Sequence, residues 1–192
     1  FFRNLVAAFF VAIILIKNHT APKVEKTQWG SLFLRCAFGT LGILCNFYAI
    51  DHLLVADASI LNKLSPFFAI IFSFLLLKEK IKPAQAMCVI LAFVGCLFVV
   101  KPGFENAHLI PALIGVCGGL GAGIAYTMVR KMGTHGVKGP VIVFYFSCFS
   151  CIIVIPWIVF HYQPMSLRQL LTLLLAGLFA AGGQFTITAA YT

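Results

Sequence analysis

Seven long apolar segments occupy most of this chain and limit the folds that are open to it. A hydrocarbon layer about 30 Å thick requires about 20 apolar residues in a helical crossing. Backbone groups in lipid must find hydrogen-bond partners within their own segment, so we expect each segment to be a membrane-spanning α-helix. The segments are residues 1–16, 31–53, 56–77, 84–100, 109–129, 141–160 and 170–191.

The composition of the chain also points to a membrane protein. Hydrophobic residues make up 61% of the sequence and charged residues only 10%, whereas about 25% of residues are charged in an average soluble domain. A chain with so few charges could not cover a water-facing surface. We therefore predict an all-α membrane protein, a polytopic bundle of seven transmembrane helices.

The basic residues are divided unequally among the connections between segments. The connections after the first, third and fifth segments hold Lys17, Lys23, Lys26, Lys78, Lys80, Lys82, Arg130, Lys131 and Lys138. The intervening connections hold only Lys101 and Arg168. The positive-inside rule then predicts that loops 17–28, 78–83 and 130–139 are cytoplasmic, in a protein of the cytoplasmic membrane. The formal net charge of +9 thus reflects topology, and we expect no nucleic-acid partner.

A faint internal repeat relates the second segment to the seventh. When residues 39–47 are aligned with residues 177–185, a glycine begins both stretches and a phenylalanine ends both, while Asn46 aligns with Gln184. The loop charges predict that these two segments cross the membrane in opposite directions. Repeats of opposite orientation are typical of secondary transporters. We therefore predict a bundle built from two inverted repeats.

Four stretches of the first half resemble one family of membrane transporters. They are FFRNLVAAFF, LRCAFGTLGILCNFYAI, ADASILNKLSPFFAIIFSFLLLKEKI and MCVILAFVGCLFVVKPG. The third stretch has a mid-helix proline at Pro66 and a glutamate, Glu79, just past the helix end, and the fourth has Gly95 and a closing Pro-Gly pair. On these residues the chain resembles the EamA-type members of the drug/metabolite transporter superfamily, which have two related five-helix halves.

The resemblance implies that the chain holds helices two to eight of ten and is truncated at both ends. Residues 1–103 would be a first EamA-like repeat that lacks its first helix, and residues 104–192 would be the first three helices of the second. It also implies a transporter that moves small metabolites, often outward, but it does not name a substrate. We predict a secondary-active exporter of small metabolites, such as amino acids or related compounds, and we expect no cofactor. A membrane-embedded enzyme and a non-transporting membrane scaffold remain as alternatives.

Two amides are candidate substrate-binding residues. Asn46 shares one helical face with two preceding glycines, and Gln184 follows Gly177 in the same way. An amide in a membrane helix commonly hydrogen-bonds to a neighbouring helix. The other interpretation, suggested by the inverted alignment, is that Asn46 and Gln184 both line a central cavity.

A second candidate site lies at Asn62, Lys63 and Pro66. Pro66 has no N–H group, so the carbonyl of Asn62 loses its helical donor and we expect a kink. A lysine at this depth is expensive in hydrocarbon. It would either snorkel to the surface or pair with Asp51 or Asp57, or it would bind substrate together with Asn62.

Other small and polar residues admit both structural and functional interpretations. Gly115, Gly119 and Gly123 recur every four residues and form a smooth stripe for helix packing, a homodimer face or a pathway lining. Arg3 and Arg35 lie near helix ends and are expected to snorkel.

The sequence provides no argument for catalysis or for a metal site. No nucleophile lies in a recognisable pattern with a base, and no Walker loop is present. Cys148 and Cys151 have the spacing of a redox or metal pair but lack a companion pair, so we interpret them as small buried hydrophobes.

Overall fold

A computed structural model describes residues 1–100, 109–161 and 164–192 of the chain. Lys101, the Pro-Gly pair at 102–103 and the predicted repeat boundary lie outside these residues. The described residues form eight α-helices, one 3-10 turn at Lys26–Gln28 and no strand. The helices are α1 Phe2–Lys17, α2 Trp29–His52, α3 Val55–Asn62, α4 Ser65–Leu77, α5 Pro83–Val100, α6 Leu109–Thr134, α7 Gly139–Phe160 and α8 Leu167–Tyr191. The all-α prediction is confirmed.

Five stretches of the described chain are long and apolar enough to cross a membrane. They are Lys26–His52, Val55–Leu77, Leu109–Thr134, Gly139–Phe160 and Leu167–Tyr191. The second of these contains both α3 and α4, which together occupy the third apolar segment of the sequence. Helices α1 and α5 occupy the first and fourth segments. The chain is therefore a polytopic helical membrane protein, as its apolar segments predict.

Capping motifs close the end of α1 and the start of α8. Helix α1 ends in a Schellman motif, in which Thr20 N donates to Leu15 O at 2.9 Å and His19 N donates to Ile16 O at 3.1 Å. His19 has the left-handed φ of 46° that this motif requires. Helix α8 begins with a capping box between Ser166 and Gln169. These caps satisfy backbone groups that would otherwise be left without partners at the helix ends.

Residues 1–36 and 129–192 form one compact unit. In it, α1 packs against both α7 and α8. The core beside α1 contains the buried residues Val11, Leu15, Val141 and Val143. Helix α8 approaches closely at Gly177, where an added Cβ would lie 3.1 Å from the Phe2 carbonyl oxygen.

Residues 37–128 form the second compact unit. Its core contains the buried residues Leu61, Leu64, Phe68 and Ala112, which come from α3, α4, α6 and the turn between α3 and α4. Helix α5 packs against α3 and α4. The rings of Phe68 and Phe93 meet edge to face, with their centroids 5.2 Å apart.

Candidate functional site

The membrane span Val55–Leu77 is interrupted between its two helices. Helix α3 ends at Asn62, and α4 begins at Ser65 with Pro66 in its first turn. Two hydrogen bonds join the turn to the end of α3, from Lys63 N to Ser59 O and from Leu64 N to Leu61 O, both 3.2 Å long. Because Pro66 has no N–H, it cannot donate to the carbonyl of Asn62 four residues earlier. The break therefore leaves a polar backbone group within an apolar span.

The two side chains at the break differ in exposure. Asn62 is half-buried and Lys63 is exposed. Neither side chain makes a hydrogen bond or ion pair with another described residue. In particular, Lys63 pairs with neither Asp51 nor Asp57 in the described part of the chain, and Asp51 instead lies 3.6 Å from His52.

The glycine stripe of α6 packs against the broken span. A Cβ added at Gly119 would lie 2.8 Å from the carbonyl oxygen of Leu61, and one added at Gly115 would lie 2.9 Å from the Leu61 side chain. At Gly123 an added Cβ would overlap Phe68 Cβ. Any side chain on this face of α6 would push α3 and α4 away. The glycines let the two helices approach to backbone contact beside the break.

A second set of glycines, which the sequence reading missed, joins α6 to α2. A Cβ added at Gly42 would lie 2.9 Å from the carbonyl oxygen of Gly118, and one added at Gly121 would lie 3.0 Å from the carbonyl oxygen of Phe38. The three-residue spacing of Gly118 and Gly121 was a usable signal, because it places both on one helical face. Helix α6 is therefore approached closely on two sides.

Asn46 lies close to the junction of α2, α3 and α6. An added Cβ at Gly115 would contact Ala49 of α2 at 3.3 Å as well as Leu61 of α3. Asn46 precedes Ala49 by one helical turn, and its backbone nitrogen faces Gly118. The Asn46 side chain is half-buried and makes no hydrogen bond with another described residue. Asn46 thus lies about one helical turn from Ala49, and Asn62 directly follows Leu61 in the chain. Ala49 and Leu61 both face Gly115, so the two asparagines lie near the same helix contact.

Gln184 belongs to the other compact unit. It is half-buried, and its Nε2 donates to Thr188 Oγ1 at 3.3 Å within α8. The structure thus gives Gln184 a partner one turn away on its own helix. That Gln184 and Asn46 act on one substrate remains a prediction.

Arg35 does not snorkel, contrary to expectation. Its side chain is 2% exposed, and its guanidinium carbon lies 3.9 Å from the ring centroid of Phe146 on α7. Arginine stacks readily on aromatic faces, and the attraction strengthens when water is excluded. Arg3, in contrast, is half-buried and donates from Nε and Nη2 to Asn4 Oδ1 at 3.3 Å.

Buried polar side chains accompany Arg35 in the same unit. Gln28 at the end of the 3-10 turn and Ser31 and Arg35 near the start of α2 are all buried. Their spacings of three and four residues place them on one face. On α7 the buried Ser147 and Ser150 follow Phe146. The Oε1 atom of Gln28 and the Oγ atom of Ser147 have no hydrogen-bond partner among the described residues.

The two cysteines with the spacing of a redox or metal pair lie on α7. Within residues 1–100, 109–161 and 164–192, no group of three histidine, cysteine or acidic side chains is placed to hold a metal ion. Cys148 is half-buried, Cys151 is buried, and both are free thiols. They occupy the interior of α7 as small apolar side chains.

Comparison with known proteins gives the chain a family. The EamA-like transporter family model matches residues 1–101. The pseudopaline exporter CntI of Pseudomonas aeruginosa strain UCBPP-PA14 is 32% identical over 196 residues, a match that covers 100% of this chain and 67% of the exporter. No solved structure matches significantly.

More distant relatives also carry the names of transporters. Human solute carrier family 35 member G1 is 26% identical over 204 residues, covering 98% of this chain and 56% of the carrier. The riboflavin transporter of Brucella anthropi is 25% identical over 138 residues, covering 72% of this chain and 48% of that protein. The chain thus spans about two thirds or less of the length of these relatives. Because the family model matches more than half of the chain and the described helices include spans long enough for a bilayer, this is a multi-pass membrane protein of the EamA-like transporter family.

Proposed function

We propose that the protein is a secondary-active exporter of small metabolites across the cytoplasmic membrane. The observation that carries the proposal is the break between α3 and α4. Many secondary transporters bind substrate at discontinuous helices near the middle of the membrane, where freed backbone groups face the ligand. Here the break leaves the Asn62 carbonyl without its helical donor, beside a lysine that pairs with no described acidic residue.

Each candidate residue has a chemical role in this proposal. Lys63 supplies a positive charge for a carboxylate or phosphate group of the substrate, and Asn62 supplies its freed carbonyl and its amide. Asn46, near the same helix junction, supplies a second amide. Gln184 supplies the corresponding amide of the other predicted repeat. The donors and the single cation favour neutral, zwitterionic or anionic metabolites, including amino acids and related compounds.

The relatives' names support transport and not catalysis. One is named a pseudopaline exporter and another a riboflavin transporter. We propose accordingly that the chain has no enzymatic activity and that its basic loops 17–28, 78–83 and 130–139 are cytoplasmic. Two inverted repeats, divided near residue 103, remain our interpretation of its internal symmetry.

Counterflow in proteoliposomes tests the proposal. The full-length protein would be loaded in turn with unlabelled amino acids, riboflavin and pseudopaline, and uptake of the labelled compound would be followed. A carrier exchanges internal for external substrate and gives a transient overshoot. An absence of exchange with every compound of a broad metabolite panel, from protein that is folded and inserted, would contradict the proposal.

A further inference from the structure

The loop after α1 covers a groove that the transport site does not use. The groove has a volume of about 560 Å³, within the usual range for small-molecule sites. Its floor is formed by Ala12, Leu15 and Ile16 of α1 and by Phe144 of α7. Its upper edge is formed by residues 19–22 of the loop. The lining is therefore apolar along the two helices, and His19 and Thr20 of the loop are its polar residues.

The groove runs from the end of a membrane helix toward the membrane interior. Ala12 lies seven residues before His19, a distance of about 10 Å along a helix. Lys17, in the last turn of α1, marks the level at which the helix leaves the hydrocarbon. We therefore expect the apolar lining to lie at the depth of lipid acyl chains and the loop at the depth of lipid headgroups.

Positive charge lies beside the loop that lines the groove. Lys138 Nζ donates to Thr20 Oγ1 at 3.3 Å, which brings the loop before α7 to the rim. Lys17 and Lys23 lie in the chain on either side of the rim-forming residues, and His19 is itself part of the rim. The acid of this loop, Glu25, accepts a hydrogen bond from Thr27 at 3.4 Å. The net charge of the rim is therefore positive.

The groove is held in shape by three contacts. The Schellman motif fixes the turn at His19. Tyr145 Oη donates to the Pro22 carbonyl at 2.8 Å, and the Tyr145 ring meets Trp29 edge to face with centroids 5.9 Å apart. A ligand that enters a site of fixed shape loses less free energy to ordering the protein.

We propose that this groove binds one anionic phospholipid from the leaflet that faces the basic loops. One acyl chain would lie along Ala12, Leu15 and Phe144, and the phosphate would lie between the ammonium groups of Lys17 and Lys138. A small soluble anion would gain nothing from the apolar floor. A zwitterionic lipid would gain little from the net positive rim. Basic sites between helices at a membrane surface are known to select anionic headgroups.

Native mass spectrometry of the full-length protein tests this site. The protein would be released from detergent after equilibration with equal amounts of phosphatidylglycerol and phosphatidylcholine that have the same acyl chains. We expect one retained phosphatidylglycerol. Lys17→Gln and Lys138→Gln should each lower its retention about fivefold, since a lysine near an anionic membrane surface contributes about that factor. Lys82→Gln, a control in a different basic loop, should leave retention unchanged.

A second pair of variants tests the groove itself and not its charge. Ala12→Phe would fill the floor and should remove the bound lipid, whereas Ile13→Phe changes a neighbouring residue that does not line the groove and should have no effect. Elution as a single species would show that each variant folds.

Three outcomes would overturn the proposal. Equal retention of the two lipids would show non-selective annular contact. An equal loss in Lys82→Gln would show a general effect of charge. Displacement of the lipid by inorganic phosphate would show that the rim alone binds and that the groove has no part in it.

Discussion

The guanidinium carbon of Arg35 lies 3.9 Å from the centre of the Phe146 ring, and the arginine is almost fully buried. A cation on an aromatic face in a site shielded from water is stabilised by about 2 kcal/mol. A double-mutant cycle with Arg35→Met and Phe146→Leu should therefore give a coupling energy of about 1–2 kcal/mol in the free energy of unfolding. Denaturant unfolding in mixed micelles measures it. A coupling energy near zero would show that the two side chains are neighbours without an energetic contact.

The glycine contacts of α6 predict that the effect of a glycine-to-alanine substitution on stability depends strongly on its position. Gly119→Ala should lower the free energy of unfolding by about 1–3 kcal/mol, because the new methyl group meets the Leu61 backbone and cannot be accommodated by a side-chain movement. Gly182→Ala is the matched control. Nothing lies within 4 Å of a Cβ there, so the change should be neutral or stabilising by up to about 1 kcal/mol. Thermal unfolding in detergent distinguishes the two, and equal effects would contradict the packing.

A buried hydroxyl also joins α6 to α4. Thr127 Oγ1 lies 3.2 Å from Ala69 O and 3.0 Å from Gly123 O. Thr127→Val keeps the shape but removes the donor, and it should destabilise the protein by about 1 kcal/mol. Thr186→Val is the control, because Thr186 is exposed and its hydroxyl donates to Gly182 O within its own helix. Equal destabilisation by Thr186→Val would show that the hydrogen bond between α6 and α4 contributes no more to stability than a bond within one helix.

Lys63→Met tests the proposed substrate site in the full-length protein. The change removes the charge and keeps a long side chain, so insertion and expression should be preserved while transport is lost or altered in specificity. Lys80→Met, in a connecting loop, is the control. Uptake kinetics are measured across a range of substrate concentrations. Wild-type kinetics in the Lys63 variant would mean that this lysine reaches the membrane surface and takes no part in transport.

Single cysteines test the proposed topology. Placed at positions 23 and 138 in a background without native cysteines, they should react with an impermeant reagent from the same side, because Lys138 contacts the loop at Thr20. A cysteine at position 168 should react from the other side. Labelling of positions 23 and 168 from one side would contradict the topology.

The apolar segments predicted the helices well because spans in lipid are specified by length and composition alone. Pro66 likewise indicated an interruption, since its missing N–H acts locally and needs no knowledge of the fold. The structure places this interruption at Lys63 and Leu64.

Properties that depend on a neighbouring helix could not be predicted from the sequence alone. The burial of Arg35 depends on Phe146, which is more than a hundred residues away in the chain. The role of Gly118 depends equally on Gly42 of another helix. A single sequence shows which face of a helix is smooth or charged, but it does not show what lies opposite that face.

The interruption of the span Val55–Leu77 also has a consequence for how the chain enters the bilayer. Helix α3 has 8 residues and α4 has 13, so at 1.5 Å per residue they reach about 12 Å and about 20 Å, each short of a bilayer core of about 30 Å. Neither could be integrated on its own as a crossing, whereas the whole stretch of 23 residues could. The chain must therefore be recognised by the insertion machinery as one uninterrupted segment. The glycines of α6, which is synthesised later, then pack against Leu61 beside the break.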